Sequence, residues 1–117
     1  MHHRRCPYCS GAMRTTKLTC QDCGVAVEGA FATPRLSLLD AEDQQLVELF
    51  VLASGSLKQT AAVLGVSYPT VRGRLDRLIA RLKELQTRDE ERKTRILEDM
   101  EGGRISAKRG MRLIEGL

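Results

Sequence analysis

Tryptophan is absent from this 117-residue chain, and two tyrosines and two phenylalanines make up its whole aromatic complement. A core of that composition has to be built from Leu, Val, Ile and Ala, mostly on helices. No apolar run approaches the ~20 residues of a membrane-spanning helix. The polar start lacks the apolar segment of a secretory signal, so membrane insertion is not expected and a cytoplasmic location is. Histidine is confined to His2 and His3. With no internal histidine, no nucleophile elbow and no phosphate-binding loop, the chain carries no catalytic constellation, and an enzyme is not expected. Bases are missing from residues 36–56, where Asp40, Glu42, Asp43 and Glu48 stand. Over residues 65–83 the balance reverses: Arg72, Arg74, Arg77, Arg81 and Lys83 face a single acid, Asp76. The net charge is only +4, but its uneven placement suggests one face shaped for an anionic partner.

What the chain does have is two cysteine pairs, Cys6-Pro-Tyr-Cys9 and Cys20-Gln-Asp-Cys23, ten residues apart. Each pair closes on a turn: Pro7 and Ser10-Gly11 serve the first, Gly24 the second. This spacing lets four thiolates point at one tetrahedral cation, which reads as a structural zinc site of the ribbon kind. The intervening β-branched stretch 12–19 and the alternation of Val25, Val27 and Phe31 predict two short strands. About 30 residues cannot bury enough apolar surface to hold themselves together, and metal binding can supply the deficit. Three other readings stand beside zinc. A disulfide across two residues is strained, and nothing marks the chain as secreted. A redox pair would need a βαβ setting. An iron site of the rubredoxin kind would want the aromatics that are missing. A closed four-thiolate site has no place for His2 or His3 and supports no catalysis.

After a connector containing Pro34, Asp40 is a good N-cap for a helix whose Leu46, Leu49, Phe50 and Ala53 share one face. Gly55 ends that helix. Ser56 caps a second one over residues 57–64, Gly65 stops it, and Ser67 caps a third with Pro69 in its first turn. Ala61 is small where two helices must cross, Gly65 permits a sharp turn, and Val66, Val71 and Leu75 fill the angle. This layout is a helix-turn-helix. The run Thr60-Ala61-Ala62-Val63-Leu64-Gly65-Val66-Ser67-Tyr68-Pro69-Thr70-Val71-Arg72 resembles the DNA-reading unit of LuxR-type regulators and of the sigma-factor region that reads the −35 element. The resemblance implies that the third helix enters the major groove by its N-terminus. Tyr68, Pro69, Arg72 and Gly73 would then face base edges, with Arg72 the first choice for a bidentate guanine contact. Ser67 and Thr70 would meet phosphates, and Lys58, Gln59, Arg74 and Arg77 would contact the backbone. Glycine inside a helix costs ~1 kcal/mol, and close approach of DNA or of another helix would justify Gly73.

Val71, Leu75, Leu78, Leu82 and Leu85 continue in a heptad rhythm. A short helix-turn-helix needs residues 71–78, so Leu82 and Leu85 point to a partner helix, in a second copy of the chain or in its own tail. Residues 86–95 are polar and suit a solvated helix or a linker. Beyond them Ile96, Leu97 and Met100 make one apolar face, and Met111, Ile114 and Leu117 a second, with Ser106 capping between. The string Ile96-Leu97-Glu98-Asp99-Met100-Glu101-Gly102-Gly103-Arg104-Ile105-Ser106-Ala107 resembles the SHOCT-like helical module, which implies oligomerisation or partner docking. Glu98, Asp99 and Glu101 read as a solvated face.

The expected fold is mainly α with a small β ribbon: a zinc ribbon over 1–33, a tri-helical helix-turn-helix with an extended third helix over 36–88, and a helical hairpin over 94–117. Ribbon, connector, helix-turn-helix and hairpin together resemble the bacterial family of domain of unknown function 2089. That resemblance implies a DNA-binding transcriptional regulator with structural Zn2+. Double-stranded DNA is the expected partner, and a homodimer or higher homo-oligomer the expected assembly. Its interface would be built from Leu78, Leu82, Leu85, Ile96, Leu97, Met100 and Ile114, with the hairpin also available to a protein partner. The alternative is a protein-interaction adaptor in which the helix-turn-helix packs on protein, and an iron redox carrier is the third choice.

Overall fold

The computed structural model describes residues 5–11 and 13–116. His2, His3, Ala12 and Leu117 lie outside them. In chain order it contains β1 (Lys17–Thr19), β2 (Ala26–Glu28), a short 3-10 helix (Arg35–Leu38), α1 (Ala41–Leu52), α2 (Leu57–Leu64), α3 (Tyr68–Glu101) and α4 (Ala107–Glu115). The chain divides into two compact units, Arg35–Arg88 and a second formed by Met1–Pro34 with Asp89–Leu117.

In the Arg35–Arg88 unit, side chains cap the first two helices at their N-termini and left-handed backbone turns close their C-termini. Asp40 caps α1, its Oδ1 accepting the Asp43 N–H at 2.9 Å, and Ser56 Oγ caps α2 by accepting the Gln59 N–H at 3.2 Å. α2 closes at Gly65, with φ +68° and the Val66 N–H reaching the Ala61 carbonyl at 3.1 Å. α1 differs from expectation. Its left-handed terminator is Ser54, φ 53°, and Gly55 follows with its N–H on the Phe50 carbonyl at 2.9 Å. A serine thus holds the position that glycine adopts without steric cost.

Leu39, Leu46, Leu78 and Leu85 form the core, with Leu38, Val47, Leu64 and Leu82 packed against them. Of the leucines expected at an interface between chains, Leu78 and Leu85 are buried within the chain and Leu82 is half-buried. The surplus heptad leucines pack within the chain, in one cluster with Leu38, the last residue of the 3-10 helix, and Leu39, which follows it. Leu39 is 1% exposed and Leu85 2%, so neither is free to meet a second copy. Val71 is fully buried, Ala61 nearly so, and Leu75 half-buried. Thr60, also fully buried, satisfies its hydroxyl on the Ser56 carbonyl at 2.8 Å.

Of the two expectations for the polar stretch 86–95, the helix holds: α3 runs through it unbroken. Thr87 and Thr94 fold their hydroxyls back onto the carbonyls of Lys83 and Glu90, both at 3.0 Å. α3 ends at Gly103, φ +71°, with the Arg104 N–H on the Asp99 carbonyl at 2.9 Å. Asp99 is not a merely solvated acid, because Arg104 Nε meets its carboxylate at 2.7 Å. Ser106 caps α4, accepting the Arg109 N–H at 3.1 Å. Gly110, buried, lies directly against Met100. Met100, half-buried, therefore has a contact within the chain, and Ile96 is buried, so the chain itself covers part of the predicted interface. Ile114 is half-buried, while Leu97 and Met111 are exposed, so the inward face of α4 runs through Gly110 and not through Met111.

In the ribbon β1 and β2 pair antiparallel, with Leu18 opposite Val27 and Lys17 opposite Glu28. Both strands are shorter than the sequence pattern suggested, and every residue in them is exposed.

Candidate nucleic-acid interface and thiol pairs

The two cysteine pairs adopt the same turn. The Cys6 N–H donates to the Gly11 carbonyl at 2.8 Å and the Ser10 N–H to the Cys6 carbonyl at 2.9 Å; Cys20 and Gly24 repeat this with Val25 and Cys20, at 2.8 and 3.0 Å. The residue after each pair takes a left-handed backbone, Ser10 at φ 61° and Gly24 at φ 75°. Backbone N–H groups converge on the leading sulfur of each pair. Those of Cys9 and Tyr8, with the Cys9 thiol, hold the Cys6 thiol below its ordinary range, and Cys23 and Asp22 do the same for Cys20. The Tyr8 N–H to Cys6 Sγ distance is 3.4 Å.

This donor chemistry, four free thiols with two biased toward thiolate, suits zinc. The geometry goes only part of the way. Among the described residues no three or more His, Cys, Asp or Glu side chains are gathered closely enough to hold an ion. Each pair, Cys6 with Cys9 and Cys20 with Cys23, forms a thiol turn of its own.

The second site is the start of α3. Ser67 Oγ accepts the Thr70 N–H at 3.3 Å and lies 2.8 Å from Thr70 Oγ1. The two hydroxyls expected at phosphates are thus bonded to each other; one proton lies between them and the other is free to donate. Val71 turns into the core, which leaves Tyr68, Pro69 and Arg72 exposed beside it and Gly73 half-buried. Arg72 Nε meets Asp76 Oδ1 at 3.4 Å. Lys58 and Gln59 are exposed on the first turn of α2.

Arg74 and Arg77 are placed differently from the other basic candidates. Together with Asp40, Glu42, Asp43 and Gln45 they line an open hollow of about 430 Å³ floored by Leu46 and Leu64. Burial pushes the Asp43 carboxyl up, and the charge and hydrogen bond of Asp40 and the charge of Glu42 push the same way, against the pull of Arg77. These two arginines answer the acidic start of α1 as well as any outside anion. Sequence reasoning passed over this pairing because acids and bases lie some thirty positions apart and only the fold joins them. It also passed over the pairing of Asp76 with Arg72, whose signal was present: an acid four residues after a base on a helix.

Two thiol turns on a small antiparallel sheet, followed by a helix-turn-helix, define a ribbon and helix-turn-helix protein. Family comparison agrees: the model described as DUF2089 zinc ribbon matches residues 6–37, and the one described as domain of unknown function (DUF2089)-HTH matches residues 39–85. The chain belongs to the DUF2089 family. No curated protein and no solved structure matches it. Among the described residues no helix is long and apolar enough to cross a membrane.

Proposed function

We propose that this protein is a cytoplasmic, non-catalytic transcriptional regulator that reads double-stranded DNA with the start of α3 and carries a structural zinc on Cys6, Cys9, Cys20 and Cys23. One observation carries the reading. Val71 is fully buried while Tyr68, Pro69 and Arg72 stand exposed around it at the capped N-terminus of a helix. A helix held by its inner face and open at its tip is what major-groove docking needs. Arg72 supplies the forked donor for guanine, and Lys58 with the free Ser67/Thr70 proton supplies phosphate contacts. In the ribbon, the paired N–H donors at Cys6 and Cys20 favour the thiolate form that zinc requires.

Exposed Val51, Leu52 and Val63, each at least 67% accessible, favour a second reading in which α1 and α2 dock a protein. Salt titration of DNA binding separates the two. A DNA reader loses affinity steeply with rising salt and keeps a preferred sequence over bulk duplex. Arg72→Ala should abolish that preference while leaving the helical fold intact. Binding to bulk DNA alone, with Arg72→Ala indistinguishable from the parent, would leave the adaptor reading.

A further inference from the structure

We infer that Asp76 is a specificity-determining residue of the reading helix, holding Arg72 in the pose that recognises guanine; the inference rests on the DNA-reading function proposed above. The two residues stand one turn apart on α3, and Arg72 Nε lies 3.4 Å from Asp76 Oδ1. A carboxylate at Nε leaves the two terminal nitrogens, Nη1 and Nη2, to present a planar fork to O6 and N7 of guanine. An arginine without such a hold samples many rotamers and reaches phosphate oxygens as readily as base edges.

Stability does not account for the pair. Its side chains are 54% and 57% exposed, and exposed pairs of this kind contribute little. The order, base before acid along the helix, is also the poorer one for helix stability. Asp76 is moreover the single acid in the basic run 65–83. Its charge repels phosphates, so it lowers sequence-independent affinity. A residue that weakens bulk binding while steadying the one forked donor on the exposed tip of the helix shifts the balance from affinity toward discrimination.

The test uses the full-length protein and its Asp76→Ala, Asp76→Asn, Asp76→Glu and Arg72→Ala variants. Each is selected against a randomised duplex DNA library and titrated with bulk random-sequence duplex, and thermal melts establish folding. The parent is expected to enrich guanine at one position and Arg72→Ala to lose that enrichment. Asp76→Ala and Asp76→Asn should lower the guanine preference at that same position roughly tenfold while binding bulk duplex more tightly, and Asp76→Glu should restore part of it. Asp76→Asn, equal in shape and uncharged, decides the matter if Asp76→Ala melts early. Should both neutral variants keep the parent's guanine preference, Asp76 has no such role, and DNA reading through Arg72 stands without it. Should the parent itself enrich no sequence, the DNA-reading function fails, and this inference with it.

Discussion

Gly73 has no steric reason within the chain to be glycine. A methyl there would meet only the Arg77 guanidinium, at 3.9 Å, an ordinary contact, whereas at Gly110 it would run into Met100. Glycine in a helix interior costs about 1 kcal/mol relative to alanine. Gly73→Ala is therefore expected to raise stability by ~0.5–1 kcal/mol, visible as a higher thermal midpoint. If a groove approaches the helix backbone at this point, the same variant binds DNA more weakly. Melting and DNA titration on one preparation should move in opposite directions; improvement in both would remove close approach as the reason for the residue. Asp76 and Gly73 share a character at this scale. Each does little for the stability of the helix, and each lies at the part of α3 that faces away from Val71.

Among the elements, α1 and α2 were legible because their ends are chemical. Asp40, Ser56 and Gly65 satisfy or release backbone groups through contacts within a few residues. The 3-10 segment was not legible. Leu36, Leu38 and Leu39 have neither helical nor strand periodicity, so nothing marked Leu38 and Leu39 as packing partners of the heptad leucines. Leu85→Ala tests this assignment. As a core residue it should cost ~2–5 kcal/mol, with a midpoint independent of protein concentration; an interface leucine would give a concentration-dependent loss. The acidic first turn of α1 yields a second expectation. A raised carboxyl pKa at Asp43 means that the folded chain holds that proton more tightly than the unfolded one. Its contribution to stability is fullest below the ordinary aspartate range and is lost as pH rises through the raised value. Asp43→Asn should then melt above the parent at neutral pH, and the difference should close as the solution is acidified. An advantage that persists unchanged in acid would show that charge on Asp43 is not its cause.

At the scale of the whole molecule the two kinds of structure differ in what holds them. The Arg35–Arg88 unit has a leucine core, whereas every strand residue of the ribbon is exposed, and the proposed zinc would supply the stability that burial does not. A tight zinc chelator should therefore release about one metal per chain and make residues 5–34 sensitive to protease, while far-UV circular dichroism of the helices changes little. Loss of the helical signal on chelation would show that the helices depend on the ribbon. The sequence by itself determined the thiol turns, the capped helices and the sharp bend at Gly65, because each rests on interactions between residues a few positions apart. Only the tertiary structure decided that Leu85 is buried and Leu82 half-buried within the chain, and that Arg74 and Arg77 share a hollow with the carboxylates at the start of α1. Those outcomes depend on contacts between distant segments, where burial and charge pairing are settled by how helices pack and leave no local periodic mark.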